Sequence, residues 1–272
     1  MNHILCIGAH PDDNEFSVGG TAARLRKRGD EVRFVSVTNG DKGHYAEEYI
    51  RDPAALADRR LIEAQNAAAV IGASYQTLGV HDGEVYVDLP TTEAVIRCIR
   101  SFGIPGNGPD LVLFNRPLDY HRDHRYTSQI VLDATYMLTV PTMCPDVRHL
   151  DRMPVFAYWY DDFRDIMPFR SDLVVPIDEV METKIDMACA HISQMFEWLP
   201  YNTGRLDKVP PDTAGRREML ARVLRARDSG RAERVAASGV ALPANAACVE
   251  AFQICEYGRR PGDTELRNLF GL

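Results

Sequence analysis

The stretch that decides the fold is residues 4–15, which read ILCIGAHPDDNE. It begins as an apolar run typical of a buried β-strand and ends in a histidine and two aspartates. In an open α/β sheet the carboxyl ends of the strands border the ligand crevice, so these polar side chains are predicted to lie at a functional site. The alternative is structural: His10 caps the following helix, and Asp12 and Asp13 favour the positive end of its dipole.

His10 and Asp13 lie three residues apart across a turn stiffened by Pro11, so both can face one point while Asp12 faces another. An imidazole nitrogen with a carboxylate oxygen suits a divalent transition metal, zinc above all. A catalytic zinc site needs three protein ligands and one open position. One ligand is therefore missing from this stretch.

Strand and helix patterns alternate along the chain beyond this stretch. The further strand patterns cover residues 31–38, 75–80, 110–115, 155–160, 173–176 and 249–255. The helical patterns cover residues 16–28, 54–71, 91–102, about 126–138, about 178–196 and 213–227. This order predicts an α/β fold, with a Rossmann-like, mostly parallel sheet, helices on both faces and an active site at the carboxyl ends of the strands.

The motif HRDH at residues 121–124 follows the strand pattern at 110–115. Its two histidines fall on the same predicted edge of the sheet as His10. With His10 and Asp13, one of them would complete a zinc site of two imidazoles and one carboxylate. The alternative is that both histidines cap the helix that follows them.

The length, composition and charge of the chain argue against several classes of protein. With 272 residues, 45% of them hydrophobic, the chain can bury the core of one large domain. The formal net charge of −8 argues against a nucleic-acid partner. The six cysteines form no C-x-x-C pair and are typical of a reduced, cytoplasmic protein. No apolar run approaches the roughly 18 residues that span a bilayer.

Residues 199–247 contain no recognisable motif. They begin with aromatic and helix-breaking residues, and their arginine-rich helices look too charged to belong to the hydrophobic core. We therefore predict a single domain over residues 1–272 with a lid or insertion at about 199–247, at the mouth of the pocket or in a subunit contact. The alternative is a solvent-exposed surface segment that only links a helix to the final strand.

The motif AHPDD at residues 9–13, together with HRDH at 121–124, resembles the PIG-L/LmbE family of zinc-dependent N-deacetylases. Other family-like features recur in order: TNGD at 38–41, R-x-x-E at 60–63, LG at 78–79, DG at 82–83 and K-x-x-x-A-x-x-H-x-S-Q at 184–194. The resemblance covers about residues 3–196 and the final strand. Asp119 departs from it, because some members have a tyrosine at this position.

The resemblance implies one zinc ion per chain, for which other divalent ions can substitute. The implied ligands are His10, Asp13 and His124. It also implies Asp12 as the general base, His121 as a protonated donor to the oxyanion and Asp123 as the partner that orients His121.

The resemblance also implies three substrate residues. Arg60 and Asp82 match positions that hold sugar hydroxyls in some members, with an ion pair to Glu63 and a turn-forming Asp-Gly pair as the structural alternatives. His191 is either a third substrate residue or a core histidine.

The implied reaction is hydrolysis of an N-acyl, typically N-acetyl, amide on a small amino sugar or sugar conjugate. A conjugate amidase of the same family and a non-catalytic, zinc-containing carbohydrate-binding protein are the alternatives. A nucleotide-binding Rossmann protein fits less well, because the first β-α turn lacks the spaced glycines that approach a pyrophosphate. A homo-oligomer is compatible with the sequence.

Overall fold

The computed structural model describes residues 1–272 and contains one seven-stranded sheet. The strands are β1 (His3–Gly8), β2 (Glu31–Thr38), β3 (Ser74–Val80), β4 (Leu111–Phe114), β5 (Val155–Trp159), β6 (Leu173–Pro176) and β7 (Val249–Ile254). The helices are α1 (Asp13–Arg28), α2 (Glu47–Arg51), α3 (Pro53–Ala69), α4 (Leu89–Arg100), α5 (Arg122–Met137), α6 (Met181–Cys189), α7 (Leu199–Asn202), α8 (Thr213–Ala237) and α9 (Asp263–Leu269). A π-helical segment, Ser193–Trp198, precedes α7. None of these helices combines the length and apolar character needed to cross a membrane.

The strand order is β3-β2-β1-β4-β5-β7-β6. The first five strands in this order are parallel, and β7 runs antiparallel to both of its neighbours. The predicted α/β fold with a mostly parallel sheet is thus confirmed. The chain proceeds outward in one direction from β1 to β3 and in the other from β4, so β1 and β4 flank the point at which ligands bind in sheets of this kind.

Strand β1 is buried on both faces. Ile4 and Cys6 belong to one hydrophobic cluster, whereas Leu5 and Ile7 belong to the cluster on the opposite face. Each fully buried aliphatic side chain of this size contributes about 1.5–3 kcal/mol to stability. The strand is therefore held firmly, and the residues that follow it begin from a fixed position.

Helix α8 differs from the sequence-based expectation. Leu220, Ala221 and Leu224 pack into the same core cluster as one face of β1, and the helix lies against α6 and β7. The view that this region is too charged to be core is therefore wrong for one side of α8. Its buried apolar residues lie along one side of a helix that also carries seven arginines, so overall composition conceals them.

Four buried charged residues join α6, α8 and β7, and we call them the closed cluster: Lys184, Asp228, Arg231 and Glu250. The Lys184 ammonium donates to Asp228 Oδ2 (2.8 Å) and Glu250 Oε1 (2.7 Å), and Arg231 pairs with Asp228 Oδ1 at 3.1 Å. The Glu250 carboxylate also accepts hydrogen bonds from two backbone amides of α1. Two cations balance two anions, so the charges compensate one another away from water.

Candidate active site

The turns after β1 and β4 meet at the switch point of the sheet. The first turn supplies His10 and Asp12 and leads into α1, which begins at Asp13. The second leads into α5, with His121 at its N-cap and His124 in its first turn. Two separate stretches of sequence therefore come together because their strands are neighbours in the sheet.

Asp13 is fixed by the backbone of the turn that precedes it. Its Oδ2 accepts hydrogen bonds from the amides of Ala9 (2.7 Å) and His10 (2.9 Å). Gly8 makes this possible, because a Cβ at that position would lie 2.6 Å from Asp13 Cβ. The carboxylate is thus held over the end of β1 and faces the second turn.

Three potential ligand residues converge in the arrangement that a metal requires. His10 Nδ1 lies 3.1 Å from His124 Nε2, His124 Nε2 lies 3.4 Å from Asp13 Oδ1, and His10 Nδ1 lies 3.7 Å from Asp13 Oδ2. Ligand atoms around a tetrahedral zinc ion lie about 3.3 Å apart, given zinc-ligand bonds of about 2.0–2.1 Å. The residues present therefore fit such an ion. We call these three residues and the adjacent Asp12 the open cluster.

Carboxylates stand behind both histidines, as is common around metal-binding imidazoles. Asp119 Oδ2 lies 2.9 Å from His124 Nδ1. On the far side of the other ring, His10 Nε2 lies 3.3 Å from Asp82 and 3.5 Å from Asp123. Sequence reasoning missed the role of Asp119, although its place five residues before a candidate ligand could have indicated it.

Two other groupings of potential ligands occur around His10, one with His121 and His124 and one with Asp82 and Asp123. The second is less suited to catalysis, because the Asp123 side chain is fully buried and accepts a hydrogen bond from a backbone amide. Asp13 and His124, in contrast, line a cavity of about 440 Å³. A catalytic ion must reach substrate, which favours the set that includes them.

Negative charge dominates the electrostatics of the open cluster. Burial opposes protonation of His10 and His124, yet the surrounding carboxylates raise the pKa of His10 to about 10 and that of His124 to about 11. Burial likewise opposes ionisation of Asp13, but the two histidines lower the pKa of its carboxyl. Surroundings that favour imidazolium ions this strongly also favour a bound dication.

Asp12 occupies the N-cap position of α1, but its side chain makes no capping hydrogen bond. Burial and the charge of Asp13 raise the pKa of its carboxyl, against the opposing effect of His191 and His10. The Asp12 side chain therefore does not stabilise the start of α1 by hydrogen bonding. A carboxylate with a raised pKa and no bonded partner is available to accept and return a proton.

His121 is held differently from the arrangement that the resemblance implied. Its Nδ1 accepts a hydrogen bond from the Asp123 amide at 3.2 Å, so Nε2 bears the proton of the neutral ring. Burial and the charges of His10 and His124 lower the pKa of His121. The Asp123 carboxylate accepts from the Gly83 amide and lies beside His10, so it does not orient His121 as expected.

Arg60 and His191 lie behind Asp12, not in the main cavity. The Arg60 guanidinium donates to the carbonyl of Gly43 and to the side chain of Gln194, with no ion pair to Glu63. His191 is buried, with Nε2 3.3 Å from a Glu15 oxygen. Both residues line a small pocket that Asp12 borders. Asp82, the third predicted substrate residue, lies beside His10.

A cavity of about 440 Å³ opens beside the open cluster. Asp12, Asp13 and His124 lie on one side of it, and the loop after β5 with arginines of α8 lies on the other. A second cavity of about 510 Å³ adjoins it and shares the residues 160–163. Ligand pockets for small molecules have volumes of about 300–1,000 Å³, so either cavity is large enough for a sugar-sized group.

Residues 5–135 match the family model PIG-L, described as GlcNAc-PI de-N-acetylase. A diacetylchitobiose deacetylase of Thermococcus kodakarensis is 28% identical over 212 residues, which cover 74% of this chain and 75% of the relative.

Two solved structures share the fold over nearly the whole chain. One is an N,N'-diacetylchitobiose deacetylase from Pyrococcus horikoshii, with a TM-score of 0.71, 22% identity and coverage of 93% of this chain and 84% of the other. The second is a 4-carboxy-2-hydroxymuconate hydratase from Pseudomonas putida, with a TM-score of 0.73, 19% identity and coverage of 97% and 99%. Because these two proteins are named for different reactions, the fold alone does not determine the chemistry.

Proposed function

We propose that this chain, which contains a PIG-L family domain over residues 5–135, is a metal-dependent N-deacetylase of amino sugars or their conjugates. The observation that supports this best is the open cluster: three residues whose ligand atoms lie 3.1–3.7 Å apart, beside an aspartate with no bonded partner. The diacetylchitobiose deacetylase relative is named for the same class of reaction. The donor set of two imidazoles and one carboxylate indicates zinc.

A zinc ion held by His10, Asp13 and His124 would supply Lewis-acid activation of water and of the amide carbonyl. Asp12 accepts the proton of the attacking water, whose oxygen forms a bond to the carbonyl carbon. As the C–N bond breaks, Asp12 returns this proton to the leaving nitrogen. The products are the free amine and acetic acid, which ionises to acetate.

His121 is assigned the role of donor to the oxygen of the amide as negative charge develops on it. This role needs an N–H group and no positive charge, and the neutral ring with its proton on Nε2 provides one. We assign Asp123 to the support of His10, beside Asp82, because its carboxylate lies 3.5 Å from His10 Nε2. Arg60 and His191 are assigned to the positioning of Asp12 from behind.

We propose that residues 199–247 form a fixed wall of the substrate cavity instead of a hinged lid. Arginines of α8 line the cavity, and the closed cluster attaches the middle of that helix to α6 and β7. Replacing the whole segment by a linker would leave Lys184 without Asp228, so single substitutions are the better test of its role.

The decisive experiment combines metal analysis with an assay for released amine. The purified chain should hold one divalent ion and should hydrolyse N-acetylglucosamine or a conjugate of it after loading with zinc, cobalt or manganese. His124→Ala should lose the ion and the activity, because one of three protein ligands is removed. His149→Ala, a histidine outside the site, should keep both.

Two outcomes would contradict the proposal. Full activity after removal of the ion by a chelator would exclude metal dependence. Absence of amine release from every N-acetylated sugar, by a protein that holds its ion, would favour the non-catalytic carbohydrate-binding alternative. A conjugate amidase would instead act only on larger sugar amides, which the same assay should include.

A further inference from the structure

Three arginines of α8 line the cavity beside the open cluster, and they differ in their partners. Arg231 pairs with Asp228 at 3.1 Å as part of the closed cluster. Arg234 pairs with Asp162 at 2.7 Å. Arg227 has no carboxylate within 4.0 Å. It is therefore the guanidinium of this set whose charge no protein group neutralises directly.

Arg227 is held in place without being neutralised. Its one hydrogen bond goes to the backbone carbonyl of Phe16 at 3.3 Å, and its guanidinium lies 5.1 Å from the centre of the Phe16 ring. Burial and the neighbouring Arg231 lower the pKa of Arg227 to about 10. A partly buried cation that retains free N–H groups over a cavity is energetically costly unless a ligand supplies the counter-charge.

Apart from Asp12, which lies at the candidate metal site, the carboxylates of the same cavity are already engaged elsewhere. Arg116 binds both oxygens of Asp161, at 2.6 and 2.7 Å. Asp119 is bonded to His124 behind the candidate metal site. Each of these engaged carboxylates would therefore have to leave an existing partner before it could neutralise Arg227.

We propose that Arg227 binds an anionic group, a carboxylate or a phosphate, on the part of the substrate distant from the scissile amide. The chain would then prefer N-acylated amino sugars with an acidic substituent over neutral ones. This inference rests on the proposed deacetylase function and names the substrate class within it.

The surroundings of Arg227 suit such recognition. The planar guanidinium can donate two parallel hydrogen bonds to a carboxylate or phosphate. The next residue, Asp228, is fixed by Lys184 in the protein interior, so the arginine is positioned before substrate arrives. Pre-organisation of this kind lowers the entropic cost of binding.

The test compares three substrates that differ only in charge: methyl N-acetylglucosaminide, the matching carboxymethyl glycoside and N-acetylglucosamine 1-phosphate. We expect the wild-type chain to favour one or both anionic substrates in kcat/KM. Arg227→Gln should lower kcat/KM for them by about 10- to 100-fold and change the neutral substrate less than twofold. The carboxylate and phosphate substrates distinguish the two sources of charge.

Two further variants make the result specific. Arg222→Gln removes an exposed arginine from the same helix and should change none of the three values. Arg227→Lys keeps the charge and should retain part of the preference. An equal loss on neutral and anionic substrates, or a preference that survives in Arg227→Gln, would overturn the proposal.

Binding separates this inference from the proposed function. Calorimetric titration of the metal-loaded chain with N-acetylglucosamine 1-phosphate and with the neutral glycoside, under conditions without turnover, measures recognition directly. Tighter binding of the phosphate that disappears in Arg227→Gln would support the anion site even if no amide is hydrolysed. Equal binding in both proteins would remove the anion site and leave deacetylation unaffected.

Discussion

The open cluster and the closed cluster are built from similar residues and differ in how their charges are balanced. In the closed cluster, two cations and two carboxylates face one another in the protein interior at 2.7–3.1 Å. In the open cluster, two carboxylates and two imidazoles converge with no lysine or arginine among them, and Asp12 has no bonded partner. Incomplete balance of charge, more than burial or charge alone, therefore identifies the candidate chemical site.

The largest effect is expected from Asp12→Asn, which tests whether the unpaired carboxylate of the open cluster performs the chemistry. The change keeps the shape of the side chain but removes the base, so kcat should fall by about 10²- to 10⁴-fold. The metal content should be unchanged, because Asp12 is not one of the three ligands. Steady-state kinetics and elemental analysis check both parts, with Asp207→Asn as an exposed control.

If Asp12→Asn retained wild-type kcat, the difference between the clusters would have no catalytic meaning. Another group would then have to activate the water. If it lost the metal as well as the activity, Asp12 would belong to the ligand set.

Lys184→Met tests the closed cluster in the same way. It leaves Asp228 and Glu250 buried without their shared cation, so the free energy of unfolding should fall by about 3–5 kcal/mol. Metal stoichiometry of the protein that remains folded should not change. Urea unfolding measures the loss, and the exposed Lys208→Met serves as the control. A loss below 1 kcal/mol would mean that the cluster relaxes easily and is not the balanced unit described above.

Asp119→Asn tests whether the hydrogen bond between Asp119 and the His124 ring strengthens metal binding by the open cluster. The amide is a weaker acceptor for the His124 ring, and loss of such a partner typically lowers metal affinity by about 10- to 100-fold. Competition with a chromophoric chelator measures the affinity. Unchanged affinity would show that the hydrogen bond at 2.9 Å does not tune the ligand.

The smallest effect concerns pH. Burial disfavours ionisation of Asp228, but Lys184 and Arg231 outweigh it, so its pKa is lowered in the folded protein. The stabilisation that results is present above the unfolded pKa of about 3.9 and is lost as pH falls through the folded pKa. It amounts to about 1.4 kcal/mol for each unit of lowering.

Asp228→Asn should therefore show a flatter loss of stability below about pH 4 than the wild-type chain. Urea unfolding at several values between about pH 2.5 and 5 compares the two proteins. Parallel curves would mean that Asp228 does not carry this part of the acid sensitivity.

Much of the fold could be predicted from sequence because its strands are short apolar runs with clear ends. The first residue of α5 was harder to predict from the sequence. Residues 126–138 show apolar periodicity, yet the helix begins at Arg122. Its first turn presents polar side chains to the site, so the pattern that marks a helix is missing there. The structure thus extends the helix at the residues that matter most for the candidate chemistry.

The candidate ligands could be named from the sequence because each follows a strand, whereas the contacts of their supporting residues depend on how loops and helices pack. Asp119 reaches His124 only through the path of the loop between β4 and α5. Arg227 reaches the cavity because α8 packs on β7, a pairing between elements that no local pattern reveals. Contacts of this kind depend on the assembled fold.

The hydrogen bonds between Glu250 and α1 have a consequence for folding during synthesis. The Gly20 and Thr21 amides donate to the Glu250 carboxylate, which lies 230 and 229 positions further along the chain. During synthesis, the segment that contains every candidate ligand leaves the ribosome long before its helix receives these partners. Contacts of such long range are slow to form, and incomplete chains expose the surfaces that they will later cover. The pairing of β7 with the sheet therefore completes the packing of α1. A nascent chain that ends before β7 would contain every candidate ligand on a sheet and helix that are not yet fully packed.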